Sequence, residues 1–226
     1  MKKILAVLCL PLVVIAVQRW LGFHGIQSSL YKLFMLVPPI LYCRAHGIGV
    51  TADILRFQNW RNRLSVSLAL GLLGAAIFWA AYLWLGDALL DKPKIARSVS
   101  QIFVTNAGTV WFVAPVTVFL NSLLEEFFYR GFAFGLLVRR HRGVGIVAPA
   151  VVFTVQHVLF FWQWMAWIPF LIAVLGLLVF ALVVQWLYEK ADTIVAPWVV
   201  HMLGDLALMT IAVRLFHFEV PLTTEP

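Results

Sequence analysis

Apolar residues fill this chain in blocks of helix length, and polar residues gather in the gaps between them. The blocks are Ile4 to Val17, Leu30 to Cys43, Leu64 to Leu85, Trp111 to Val138, Val144 to Trp162, Trp167 to Leu187 and Ile194 to Leu215. At 1.5 Å rise per residue, about 20 residues cross a hydrocarbon core about 30 Å thick. The pattern predicts an all-α, polytopic transmembrane helical bundle of about seven to eight spans. The eighth element would be a short helix over Ile102 to Val110. The first two blocks are the shortest and contain Pro11 and the Pro38 and Pro39 pair.

Composition agrees with the pattern. The 226 residues are 63% hydrophobic and 12% charged, against roughly 45 to 50% and 25% in soluble domains. Spans and short connections use up the length, so residues 1–226 are expected to form a single integral-membrane domain. The formal net charge of +7 does not point to nucleic acid, because the basic residues form no patch interleaved with aromatics. They lie in the gaps and read as topology signals. Alternate gaps receive Lys2, Lys3, Arg44, Arg56, Arg61, Arg63, Arg139, Arg140, Arg142 and Lys190 on one side. The other side receives Arg19, Lys32, Lys92, Lys94, Arg97 and Arg214. This bias predicts a cytoplasmic amino terminus, and seven spans would then leave the carboxy terminus outside.

Met1 to Val17 has the charged and apolar regions of a signal peptide, but no A-x-A-like site precedes Gln18 and Arg19, so an uncleaved first span is expected. Cys9 and Cys43 both fall in or beside spans and suggest no disulfide framework. Trp and Tyr near block ends, such as Tyr82, Trp84, Trp162, Trp164 and Tyr188, fit interfacial belts. The absence of internal repeats gives no support to a transporter built from two similar halves.

Charge inside an apolar block needs a reason. Glu125, Glu126 and Arg130 lie within Trp111 to Val138, and each ionisable group at the bilayer centre costs about 2.5 to 3.5 kcal/mol on insertion scales. Helical spacing puts Glu126 and Arg130 on one face, in the favourable order for an ion pair. Glu125 points about 100 degrees away and has no evident local partner. It is the candidate general base, unless its carboxyl merely bonds to Tyr129 or a neighbouring helix. His157, His201 and Asp205 lie in two later blocks, the last two sharing a face. Measured from the cytoplasmic boundaries, Glu125, His157 and Asp205 lie roughly 20 to 22 Å deep and His201 roughly 14 Å, so all four can meet at one level.

The string Glu125-Glu126-Phe127-Phe128-Tyr129-Arg130-Gly131-Phe132, then Phe153-x-x-x-His157, then Ala196-Pro197-Trp198-Val199-Val200-His201-x-x-x-Asp205 resembles the CAAX protease and bacteriocin-processing (CPBP, or ABI) family of intramembrane proteases. The resemblance lies within residues 121–205 and does not extend to the less characteristic spans of residues 1–100. It implies an intramembrane catalytic cavity in which Glu125 and His157 activate a water. It also implies that His201 and Asp205 stabilise the oxyanion or position that water, with Glu126 and Arg130 supporting. The substrate it implies is a membrane-associated or lipid-anchored protein or peptide. No cofactor is needed in a glutamate-type reading. Two His and one or two carboxylates could instead hold zinc with a position left for water.

An ionised Asp205 accepts hydrogen bonds and cannot donate to an oxyanion, as an Asn would. It would have to be protonated, orient His201, or bind the metal. Other membrane-protease chemistries lack their residues: no H-E-x-x-H, no second aspartate within a span and no G-x-S nucleophile motif. The alternatives from other classes are a non-proteolytic membrane binding or immunity protein on the same fold, and a proton-coupled transporter with a Glu and His relay.

Overall fold

A computed structural model describes residues 1–22, 30–103 and 105–220. Helices build the fold: α1 (Lys2–Trp20), α2 (Tyr31–Ala45), α3 (Leu64–Leu89), α4 (Lys92–Phe103), α5 (Val110–Leu137), α6 (Arg142–Phe161), α7 (Trp167–Ala191) and α8 (Val195–Glu219). Among the described residues, six of these are long and apolar enough to cross a membrane. A seventh crossing results if α2 and the helical turns of Val50–Asn59, bent by 111° at their junction, are one broken span. The chain is thus an integral, multi-pass membrane protein. Side chains such as Leu72, Ile77, Ile168 and Leu175 stand exposed on the outer faces of α3 and α7, where acyl chains are their natural surroundings.

Two expectations are refined. The short helix before α5 lies earlier than Ile102 to Val110, at α4. Asp91 caps its start by accepting from the Lys94 amide at 3.0 Å, and Pro93 occupies the first turn, where a missing N–H is tolerated. Asn106 then forms a turn by accepting from the Gly108 and Thr109 amides, which delays α5 until Val110. The block Leu30 to Cys43 becomes a 15-residue helix, about 22 Å long and short of a full crossing.

The segment after α2 braces the turn between α7 and α8. The carbonyls of Ile54 and Leu55 accept from Tyr188 Oη at 2.8 Å and the Ile194 amide at 2.9 Å. Arg56 pairs with Asp192, and Asn59 and Asn62 donate to the Asp192 and Ala191 carbonyls. Ile54 also packs on Gly131 of α5, where an added Cβ would come within 2.6 Å of Ile54 Cγ2.

Helix α5 is the axis of the bundle. It is buried without interruption from Glu125 to Leu137. Its short α-helical stretch Ser122–Glu126 lies between two π-helical stretches, Val116–Asn121 and Phe127–Phe134. Such wide turns often accompany functional sites, because they rotate neighbouring side chains out of ordinary helical register. On the far side, α8 packs closely against α3, where a Cβ on Gly71 would lie 2.5 Å from Leu203 Cδ1. Small residues of this kind bring membrane helices together, and this contact backs the face of α8 that carries His201.

Candidate active site

Glu125, His157 and His201 come from α5, α6 and α8, and one potential ligand atom from each lies within 4.8 Å of the other two. Glu125 Oε2 is 3.4 Å from His157 Nε2 and 3.8 Å from His201 Nε2. Asp205 Oδ1 is also 3.8 Å from His201 Nε2, one helical turn further along α8. All four residues singled out from the sequence therefore meet, and three helices separated by up to 80 positions supply them.

Both imidazoles are held by their other nitrogen. His157 Nδ1 lies 2.9 Å from the Phe153 carbonyl, which can only accept, so Nδ1 carries the proton and Nε2 of the neutral ring is a free acceptor. His201 Nδ1 lies 2.7 Å from Glu126 Oε1 and donates to that carboxylate. The Nε2 atoms of both rings thus face Glu125 with their tautomers set from behind.

Glu126 has a second partner. Its Oε1 is 3.1 Å from Arg130 Nη1, with both side chains wholly buried, as the helical spacing predicts. The guanidinium is enclosed by rings: its centre lies 4.3 Å from the Phe153 centroid, 5.8 Å from Tyr129 and 5.9 Å from Phe180. Aromatic faces attract a desolvated cation, so this pocket offsets part of its burial. Arg130, Glu126 and His201 form a chain of charge that ends at the edge of the site.

Phe153 links these parts. Its carbonyl holds His157, its ring lies 4.1 Å from the His157 ring and 5.9 Å from that of His201, and it covers Arg130. That threefold contact gives a physical reason for an aromatic residue four positions before His157. Phe180 of α7 closes the same wall, 5.5 Å from the His201 ring, and no polar spacing in the sequence marked it.

Glu125 is not without a local partner. Asn121 Nδ2 donates to its Oε1 at 2.9 Å, while Oε2 receives no hydrogen bond within the protein. Tyr129, the alternative partner in the sequence reading, instead donates to Gln156 Oε1 at 2.6 Å. The signal for Asn121 was present as an Asn and Glu four apart on one helical face. Glu126, read as a partner of Arg130 alone, also orients His201. Asp205 faces the opposite nitrogen of that ring.

The donor set suits a metal ion. Three ligand atoms converge, one carboxylate oxygen lacks a donor, and each histidine is oriented through its other nitrogen, as is usual for metal-binding imidazoles. Glu125, His157 and His201 would be the residues to hold such an ion, and it would supply a Lewis acid there. Asp205 is outside this group.

Residues 107–207 match the Rce1-like family, described as type II CAAX prenyl endopeptidase Rce1-like. No curated protein and no solved structure matches the chain. The matched stretch runs from just before α5 to Ala207 of α8 and includes every residue of the cluster. Sequence motif and family match point the same way: residues 107–207 are similar to the type II CAAX prenyl endopeptidases of the Rce1-like family, consistent with a CPBP family protease.

Proposed function

We propose that the protein is an intramembrane endopeptidase that hydrolyses a peptide bond in a membrane-associated or lipidated protein, with Glu125 and His157 activating the water. The observation that carries this reading is the Glu125 Oε2 atom, buried and undonated, with two imidazole Nε2 atoms within 4 Å of it. A water bound there donates one proton toward Glu125 Oε2 and a second toward His157 Nε2. Transfer of a proton to Glu125 lets the oxygen attack the scissile carbonyl, and the same proton then passes to the departing amine. Glu125 ends ionised, and water is divided between the two products. General-base assistance of this kind contributes typically 10²- to 10⁴-fold.

The oxyanion needs donors. His201 supplies one from Nε2 only when it carries both protons, since Nδ1 is committed to Glu126. Asp205 supplies another only as the neutral acid. If zinc is the resident ion, Glu125, His157 and His201 hold it, and it supplies a Lewis acid and a water activated at neutral pH. The outer-shell contacts of the two histidines serve either chemistry.

The match to type II CAAX prenyl endopeptidases supports a prenylated substrate, and the intramembrane depth of the site supports a lipid-anchored one. The distribution of Lys and Arg supports a cytoplasmic amino terminus. The test compares protein termini in membranes from cells carrying the wild type or Glu125→Gln at equal abundance. Termini that appear only with the wild type identify substrates. Identical sets would overturn the peptidase reading and favour a binding role. An internally quenched peptide carrying a prenylated cysteine, and its unmodified counterpart, then tests lipid dependence on purified protein. Full cleavage after chelation, with no metal by elemental analysis, would exclude the zinc version. Loss that zinc restores would establish it.

A further inference from the structure

Asn121 lies outside the three motif elements, and the geometry points to it as the residue that orients the Glu125 carboxylate. It ends the π-helical stretch Val116–Asn121, immediately before the α-helical turn that bears Glu125 and Glu126. Its amide nitrogen donates to Glu125 Oε1 at 2.9 Å. Only the amide NH₂ can donate to a carboxylate, so the contact fixes which end of the Asn side chain faces Glu125. With Oε1 occupied, Oε2 is the oxygen directed at His157 and His201.

The backbone that carries Asn121 is itself anchored. Trp198 Nε1, on α8 one turn before His201, donates to Ser122 Oγ at 3.0 Å and to the Phe119 carbonyl at 3.2 Å. Ser122 Oγ in turn donates to the Val118 carbonyl at 2.5 Å. One helix therefore supplies both the histidine and the clamp on the segment that aims the acid. The Asn121 Oδ1 atom is buried without a partner, which leaves an acceptor beside the site for a substrate N–H or a water. We infer that Asn121 is a positioning residue for the Glu125 carboxylate, an inference that rests on the peptidase reading for its effect on rate.

The test uses purified full-length protein, the quenched prenylated peptide and infrared difference spectroscopy. Carboxylate bands lost in Glu125→Gln identify Glu125. Asn121→Leu, which keeps the shape and removes the donor, should shift those bands. It should also lower kcat by roughly 10²-fold, the usual penalty for a small misplacement of a reacting group, with KM changed by less than about threefold. Asn121→Gln, which keeps the amide, should recover most of the rate, and Asn121→Ala repeats the removal if the Leu variant folds poorly. Unshifted bands would overturn the inference whatever the rate. Shifted bands with a wild-type kcat would equally overturn it. If Glu125→Gln still cleaves the peptide at the wild-type rate, the role of Glu125 in the proposed reaction fails, and the band shift alone then decides whether Asn121 holds the carboxylate.

Discussion

Two clusters of acids and cations stand in this bundle, and they are completed differently. At the end formed by α3, α4 and α8, Glu219 Oε1 accepts from Arg214 Nε at 2.7 Å. Its Oε2 accepts from Tyr82 at 2.8 Å and faces Lys92 Nζ at 2.6 Å. Lys92 also meets Asp87 at 2.5 Å. Every Glu219 oxygen has a donor, and the contacts tie three helices together beside an open cavity of about 450 Å³. At the other cluster, Glu125 Oε2 has no protein donor, although it is far more deeply buried. A completed network fastens helices, whereas a buried carboxylate left one donor short, with two oriented imidazoles beside it, is equipped to take a proton.

The sharpest break in that comparison is a pair of like substitutions. Glu125→Gln should lower cleavage of the prenylated peptide by about 10³- to 10⁴-fold, the upper range of general-base effects, with thermal stability preserved. Glu219→Gln should leave the turnover rate intact and lower only the melting temperature. Equal losses of activity would remove the distinction.

Next in size is the buried pair behind the site. Arg130→Met leaves Glu126 without its fixed cation in an apolar interior, a change that costs about 3 to 5 kcal/mol when one partner of such a pair is removed. Denaturant unfolding in detergent should register it. The double variant Glu126→Gln with Arg130→Met should regain part of the stability but not the activity, because His201 Nδ1 would have lost its carboxylate.

A smaller effect is expected for Asp205→Asn. An amide can donate to an oxyanion in any ionisation state, so the rate should stay within about tenfold of wild type, or 1.4 kcal/mol in the barrier. A greater loss would mean that the acid itself is needed.

Smallest is Lys92, which lies outside the spans. Hydrogen bonds to Asp87 and then to Glu219 hold its ammonium above the usual lysine range. The stability this provides is whole below the ordinary lysine value near about 10.4 and is lost as pH rises beyond it through the raised folded value. Lys92→Met should therefore destabilise the protein at neutral pH by no more than about 1 kcal/mol, and the difference should vanish in strongly alkaline solution.

The two clusters also differ in how far the sequence revealed them. Ionisable residues within an apolar block are conspicuous, and helix rise brings Glu125, His157, His201 and Asp205 to one depth, so the chemical groups of the site were legible. The i,i+4 spacing likewise forecast the Glu126 and Arg130 pair. Depth does not fix rotation about a helix axis, so the contact of Glu126 with His201 and the placing of Phe180 depended on how α5, α7 and α8 cross. The π-helical stretches of α5 alter register and leave no polar pattern, whereas the contact of Asn121 with Glu125 follows an ordinary i,i+4 spacing that the charged residues beside it overshadow. The brace formed by Val50–Asn59 was equally hidden, since it works through backbone carbonyls of Ile54 and Leu55. The Glu219 cluster joins residues at the gap ends, of which the sequence offered Lys92 and Arg214 only as topology signals and Tyr82 only as part of an interfacial belt.

In the proposed reaction Glu125 activates a water and does not itself attack the peptide. A single turnover in H₂¹⁸O, with the product and the Glu125-containing peptide both weighed by mass spectrometry, tests it most directly. The account predicts one ¹⁸O in the new carboxylate of the cleaved substrate and none in Glu125. Label in the Glu125 carboxylate would reveal a covalent intermediate and contradict it.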